Sequence, residues 1–197
     1  MTALTILIPA AGASSRMLGR DKLLEPVAGH PLLRRQARIA LATGVPVVVT
    51  LRPEDEARRR ALEGLNLTIL AVPDAASGLS ASLRITANKV ATALMVLPGD
   101  MPDLTTADLN RLITAFALNP GTCHRGASAG EPGHPVILPA CLLPAVAQLS
   151  GDTGARNLLA GESVVLIDLP ARHALTDLDT PEDWARWRGT GLEPTNG

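Results

Sequence analysis

Aromatic side chains are nearly missing from this chain. Among 197 residues only Phe116, Trp184 and Trp187 are aromatic, 2% of the total, and there is no tyrosine. Surfaces that hold single-stranded nucleic acid stack bases on aromatic platforms, so that class of function is not expected. A surplus of positive charge is missing too. Lysine and arginine number 18 against 19 acidic residues, for a net charge of -1, which leaves no overall field to draw in nucleic acid or an anionic membrane. The two cysteines, Cys123 and Cys141, stand far apart in no C-x-x-C pattern and are expected to be reduced thiols. No apolar run approaches the roughly 18 residues a membrane span needs, and the N-terminus has neither a basic n-region nor a cleavable apolar segment. The expectation is a soluble cytoplasmic protein with no nucleic-acid or membrane partner.

The two familiar phosphate-loop motifs are also absent. Lys22 is followed by Leu23, so there is no G-x-x-x-x-G-K-[ST], and Gly12 and Gly19 are too far apart for G-x-G-x-x-G. What is present is LTILIPAAGASSRMLGRDKLL from Leu4 to Leu24. Leu4 to Ile8 reads as a strand buried on both faces, ended by Pro9, which has no N–H for a ladder. Ala10, Ala11, Gly12, Ala13, Ser14 and Ser15 follow, a run whose N–H groups no bulky side chain screens from an anion. Arg16, Arg20 and Lys22 come next. Small residues followed by cations suggest a phosphate-handling site at the end of a strand.

Beyond it the pattern alternates. A helix is predicted from Pro31 to Thr43, a strand from Val45 to Leu51, a charged surface helix from Pro53 to Leu62 and a strand from Leu67 to Val72. Asp74 to Leu83 leads into a helix reaching Val90, and Ala93 to Leu97 forms a strand that runs into Pro98-Gly99-Asp100-Met101-Pro102. Such βαβ alternation favours a largely parallel sheet with helices on both faces and ligands beyond the carboxyl ends of the strands. Thr105 or Thr106 caps a helix to Leu118. The Gly-rich Asn119–Pro132 segment is predicted as a mobile loop, followed by a short strand over Gly133–Leu138. Helices are read at Ala140–Leu149 and Asp152–Leu159, a strand at Val164–Leu169, and a helix opening at Thr180-Pro181-Glu182-Asp183 and running through Trp187. The 46% hydrophobic content supports one core, hence a single domain over residues 1–190 with a tail at 191–197.

Six segments together resemble one family. PAAGASSRM and DKLLEPV between Pro9 and Val27, SGLSASL at Ser77–Leu83, LPGDMP at Leu97–Pro102, GHPVILP at Gly133–Pro139, GDTGARNLL at Gly151–Leu159 and DLDTPED at Asp177–Asp183 are similar, in one order along nearly the whole chain, to the MobA-like nucleotidyltransferases. Within these, molybdenum cofactor cytidylyltransferases are the nearest in pattern. The resemblance implies a Rossmann-like three-layer α/β sandwich. It also implies Mg²⁺-dependent transfer of a nucleoside monophosphate from an NTP to a phosphorylated pterin acceptor, with pyrophosphate released. Delivery to a molybdoenzyme or its chaperone would follow.

By the same resemblance, the Ala10–Ser14 loop, Arg16 and Lys22 hold the triphosphate, and Asp100 is a metal ligand. Asp177 or Asp179 supplies a second carboxylate, and the two, at i and i+2, face opposite ways if extended. Gly78, Ser80 and Ser82 form the nucleobase loop, and His134 and Arg156 the acceptor side. Ala10-Ala11-Gly12, where guanylyl-transferring relatives tend to carry Ala-Gly-Gly, favours CTP over GTP. Two departures stand out: Met101 occupies a position where relatives commonly have glutamine, and Leu18 lengthens the loop before Lys22. A sugar phosphate or methylerythritol phosphate acceptor, or a non-catalytic cofactor carrier, are the competing expectations.

Overall fold

The computed structural model describes residues 3–151 and 158–190. Its centre is β1 (Leu4–Pro9), which pairs in parallel with β4 (Val47–Leu51) on one side and β6 (Ala93–Val96) on the other. In register, Ile6 lies beside Val47 and Met95. β5 (Thr68–Ala71) extends the parallel ladder beyond β4. On the far side β8 (Glu131–Leu138) runs antiparallel to both β6 and β7 (Cys123–Ser128), and β9 (Val164–Asp168) pairs in parallel with β7. The seven strands form one sheet in the order β5-β4-β1-β6-β8-β7-β9, largely parallel as expected.

Alternate side chains of the aliphatic strands enter opposite layers. Ile6, Ile8, Val47, Val49 and Met95 pack with Leu33, Ala37 and Ala40 of α1 (Leu32–Leu41) and Leu109, Leu112 and Phe116 of α4 (Thr106–Leu118). Leu7, Val48, Leu94 and Val96 pack instead with Leu83 and Ala87 of α3 (Leu79–Ala87) and Leu143 and Val146 of α5 (Leu143–Val146). The architecture is the α/β sandwich expected. α4 begins at a capping box, Thr105 accepting from the Asp108 N–H while the Asp108 carboxylate accepts from that of Thr105.

A third apolar cluster fastens the site end. Met17, Val27 and Leu32 pack with Leu178, Trp184 and Trp187, the tryptophans lying on α6 (Pro181–Gly189) with ring centroids 5.9 Å apart. Two of the chain's three aromatics therefore bind its C-terminal helix to the opening loop. β2 (Pro26–Val27) and β3 (His30–Pro31) form a small antiparallel ribbon beside them.

Two expectations need correcting. The predicted loop at 119–132 contains β7 and the start of β8, joined by a turn at Ala129 and Gly130 with φ of 51° and 79°. Gly126 within it, and Gly133 just after it, serve close packing: a Cβ at Gly126 would collide with the His134 carbonyl, and one at Gly133 with that of Ala174. The predicted surface helix at 53–62 is shorter, α2 (Glu56–Ala61), and turns one arginine inward, Arg58, whose side chain is 3% exposed. No helix among the described residues is long and apolar enough to cross a membrane.

Candidate active site

At the end of β1 the Ala10 N–H still bonds the Thr50 carbonyl at 3.0 Å, after which the chain leaves the sheet. It turns through Ser14 and Leu18, both at positive φ (50° and 51°), with buried Met17 anchoring the turn between them. The loop walls a cavity of about 340 Å³. Ala11, Gly12, Ala13 and Ser14 line one side, Gly78, Leu79 and Ser82 another, and Asp100, His134, Lys22 and Asp179 the floor and rim. The cavity thus opens beyond the carboxyl ends of β1 and β6, where parallel α/β sheets place ligands.

Lys22 is the hub. Its ammonium donates to Asp100 Oδ2 and Asp179 Oδ1, each at 2.5 Å, and the other Asp179 oxygen meets Arg16 at 2.6 Å. Burial pushes the Lys22 amine down, but the charges and hydrogen bonds of Asp100 and Asp179 outweigh it and raise its pKa above the ordinary lysine value. Three chain segments far apart in sequence therefore bring two cations and two carboxylates to one point beside the cavity.

Of Asp177 and Asp179, only Asp179 reaches this cluster. Asp177 is exposed nearby, its carboxyl pushed up by burial and by the negative charge of Asp100 and Asp179. Among the described residues, no group of three or more His, Cys, Asp or Glu is arranged around a metal position. Two carboxylates nevertheless suit Mg²⁺, a hard cation that usually completes its shell with water and substrate phosphate oxygens.

His134 lines the cavity, its backbone N–H donating to the Ala174 carbonyl at 2.8 Å while its ring Nδ1 is buried without a partner. Burial and the nearby Arg125 charge lower its pKa against the pull of Asp100, so the ring is neutral near pH 7. Gly78 and Ser82 line the cavity, with the Ser82 oxygen accepting from Thr50 Oγ1 at 2.9 Å. Ser80 lies outside the lining, 1% exposed, its hydroxyl donated to the Ser77 carbonyl at 2.9 Å. Ala10 is fully buried beneath the loop and also outside the lining. Arg156 falls outside the described residues.

Sequence reasoning missed Arg52 and Arg58, which lie behind the loop and bond its carbonyls. The available signal was spacing: Arg58 stands one helical turn before buried Leu62, so it shares the inner face of α2.

The model of the MobA-like NTP transferase domain matches residues 6–168. The chain belongs to that family and is a nucleotidyltransferase. It is 32% identical over 187 residues to the molybdenum cofactor cytidylyltransferase of Escherichia coli (strain K12), covering 93% of this chain and 95% of that protein. To a probable molybdenum cofactor guanylyltransferase of Natronomonas pharaonis it is 31% identical over 196 residues, covering 93% and 96%. Among solved structures, Rv0371c of Mycobacterium tuberculosis superposes with a TM-score of 0.83 at 27% identity, over 94% of this chain and 96% of that one. Rv0371c has also been solved in complex with manganese; that structure superposes with a TM-score of 0.79 at 26% identity, over 94% of this chain and 97% of that one.

Proposed function

We propose that this nucleotidyltransferase moves CMP from CTP to the phosphate of molybdenum-bearing molybdopterin. The observation that carries the reading is the convergence of Arg16, Lys22, Asp100 and Asp179 at the rim of a loop-walled cavity. A phosphate oxygen of the acceptor attacks the α-phosphorus of CTP, forming a new P–O bond. The bond from that phosphorus to the α,β-bridging oxygen breaks, and its electron pair leaves with pyrophosphate. No protein nucleophile is needed, because the acceptor phosphate is ionised near neutral pH.

The protein's work is positioning and charge. Ala11, Gly12 and Ala13 offer backbone N–H groups to the phosphates. Lys22 and Arg16 neutralise charge that grows on the leaving pyrophosphate, and such preorganised cations are worth roughly 3 kcal/mol each in comparable sites. Asp100 and Asp179 would hold Mg²⁺, which supplies Lewis-acid stabilisation of phosphate charge; the manganese complex of Rv0371c supports a divalent cation in this fold. His134, neutral with one ring nitrogen protonated, donates to the acceptor phosphate, with Arg156 as its partner there by resemblance.

For the nucleotide, the relatives include both a cytidylyltransferase and guanylyltransferases at nearly equal identity and do not choose. The choice rests on Ala11. Its side chain packs with Val72 and with Ala81 of α3, and Ala11 lines the cavity with Gly78 and Leu79, so a glycine there would widen the wall for a larger base. A panel of NTPs with one molybdopterin acceptor tests this: CTP is used in preference to GTP, and Ala11→Gly narrows the preference. A wild-type enzyme that prefers GTP overturns the CTP assignment.

A further inference from the structure

Arg58 is a fully employed, buried cation directly behind the phosphate loop. Its Nη1 donates to the Ala10 carbonyl at 2.7 Å and the Gly12 carbonyl at 2.8 Å. Nη2 donates to Ser14 Oγ at 3.1 Å and Asp21 Oδ1 at 2.8 Å, and Nε to Asp21 Oδ2 at 2.7 Å. Guanidinium has five N–H donors, and all are spent inside the protein. Arg52 takes the remaining carbonyl of the run, its Nε donating to Ala11 O at 2.8 Å. Arg58 therefore cannot itself hold a phosphate, and apart from Asp55, the N-cap of its own helix at 3.3 Å from Nε, the groups its side chain touches belong to the segment that lines the cavity or carries Lys22.

Peptide geometry gives this grip a consequence. The bonds of the loop are trans, so the C=O of one residue and the N–H of the next lie in one plane and point in opposite directions. Turning the carbonyls of Ala10, Ala11 and Gly12 back onto the arginines turns the N–H groups of Ala11, Gly12 and Ala13 the other way, toward the cavity those three residues line. Among the described residues none of these N–H groups has an acceptor. A cation on each carbonyl also polarises the amide and strengthens its N–H as a donor.

We propose that Arg58, assisted by Arg52, is the positioning residue of the phosphate site: it orients the three N–H groups into an anion cradle before substrate arrives. Through Asp21, Arg58 also fixes the residue next to Lys22, so cradle and lysine are set by one side chain. The inference rests on the nucleotidyltransferase reading of the cavity but on neither the identity of the base nor that of the acceptor.

The test uses inorganic tripolyphosphate as the probe, which needs no base and no pterin. Binding is measured by calorimetry on the full chain alongside melting temperature, for wild type, Arg58→Lys, the charge-neutral pair Asp21→Asn/Arg58→Gln, and Arg60→Ala as an exposed control on the same helix. The pair avoids stranding the Asp21 carboxylate, and Asp55, which loses the Arg58 guanidinium, still caps the helix by accepting from the backbone N–H of residue 58, so a folded protein remains to measure. Folded Arg58→Lys and the pair are expected to bind tripolyphosphate at least about tenfold more weakly, the size of one lost charge-assisted hydrogen bond. With CTP, KM is expected to rise and kcat to fall together, and Arg60→Ala to match wild type. Folded Arg58 variants that bind the probe like wild type, losing only melting temperature, overturn the cradle alone. A wild-type protein that binds neither tripolyphosphate nor any NTP overturns both the cradle and the reading beneath it.

Discussion

Lys22 and Asp100, 78 residues apart in the chain, meet at 2.5 Å beyond the end of β6, and the same ammonium holds Asp179 at the same distance. The lysine thereby acts as the internal counter-ion of the two carboxylates proposed to bind metal. With Arg16 on the other Asp179 oxygen at 2.6 Å, two cations and two carboxylates balance at this point.

Asp100→Asn tests the carboxylate. Turnover with Mg²⁺ is expected to fall by about 100-fold or more, with pyrophosphate release as the measure. Melting temperature should change little, because Lys22 keeps Asp179 and both side chains are partly solvated. Near-normal turnover would remove Asp100 from the metal site.

Lys22→Ala separates two roles of one charge. Without the ammonium, Asp100 loses its cation and Asp179 keeps only Arg16, so Mn²⁺ binding to the nucleotide-free protein should tighten severalfold, measured by electron paramagnetic resonance. In the same variant kcat should fall, by roughly 100-fold for a transition-state cation. Unchanged kcat with only a raised KM would assign Lys22 to ground-state binding.

Acid stability should report the Asp21–Arg58 pair. Burial pushes the Asp21 carboxyl up, but the Arg58 hydrogen bonds and charge, with the Leu23 N–H and the Ser14 hydroxyl, more than reverse this and hold it below its ordinary 3.8. A depressed carboxylate stabilises the fold above its unfolded pKa and loses that contribution as pH falls through the folded value. Asp21→Asn should cost about 2–3 kcal/mol near neutral pH, since it leaves the buried guanidinium with only the Asp55 carboxylate, 3.3 Å from Nε, as its counter-charge. Denaturant titrations of the two proteins should converge below about pH 4; a difference independent of pH would contradict the assignment.

The cysteines should behave differently toward a disulfide reagent. Both are free; Cys141 is exposed, while Cys123 is buried in the sheet with its thiol pushed up to about 11, chiefly by burial. One thiol per native chain should react quickly, and two in denaturant. Fast reaction of Cys141→Ser would show that Cys123 is accessible.

The parallel half of the sheet was legible in the sequence because β1, β4 and β6 are aliphatic runs bounded by prolines and glycines, a pattern that buried strands impose. β7 was not. Its CHRGAS is neither aliphatic nor cleanly alternating, and Gly126 is there to admit the His134 backbone, a requirement visible only once β8 is beside it. In the site, residues of the opening loop and Asp100 could be placed by motif, since each follows a strand end. Asp179 could not be separated from Asp177, because the decision lies in which carboxylate meets Lys22 across the fold. Arg58 stayed hidden because charge in a short helix reads as solvation, whereas its five donors find acceptors only when the loop folds over it.

Metal-assisted transfer of a nucleotide to a phosphorylated pterin is measured most directly as pyrophosphate release by the full chain incubated with Mg²⁺, CTP and purified molybdenum-bearing molybdopterin. Stoichiometric pyrophosphate is expected, with appearance of the cytidine dinucleotide form of the cofactor, dependent on all three components. CTP binding without pyrophosphate, or pyrophosphate only when a sugar phosphate or methylerythritol phosphate replaces the pterin, would contradict it.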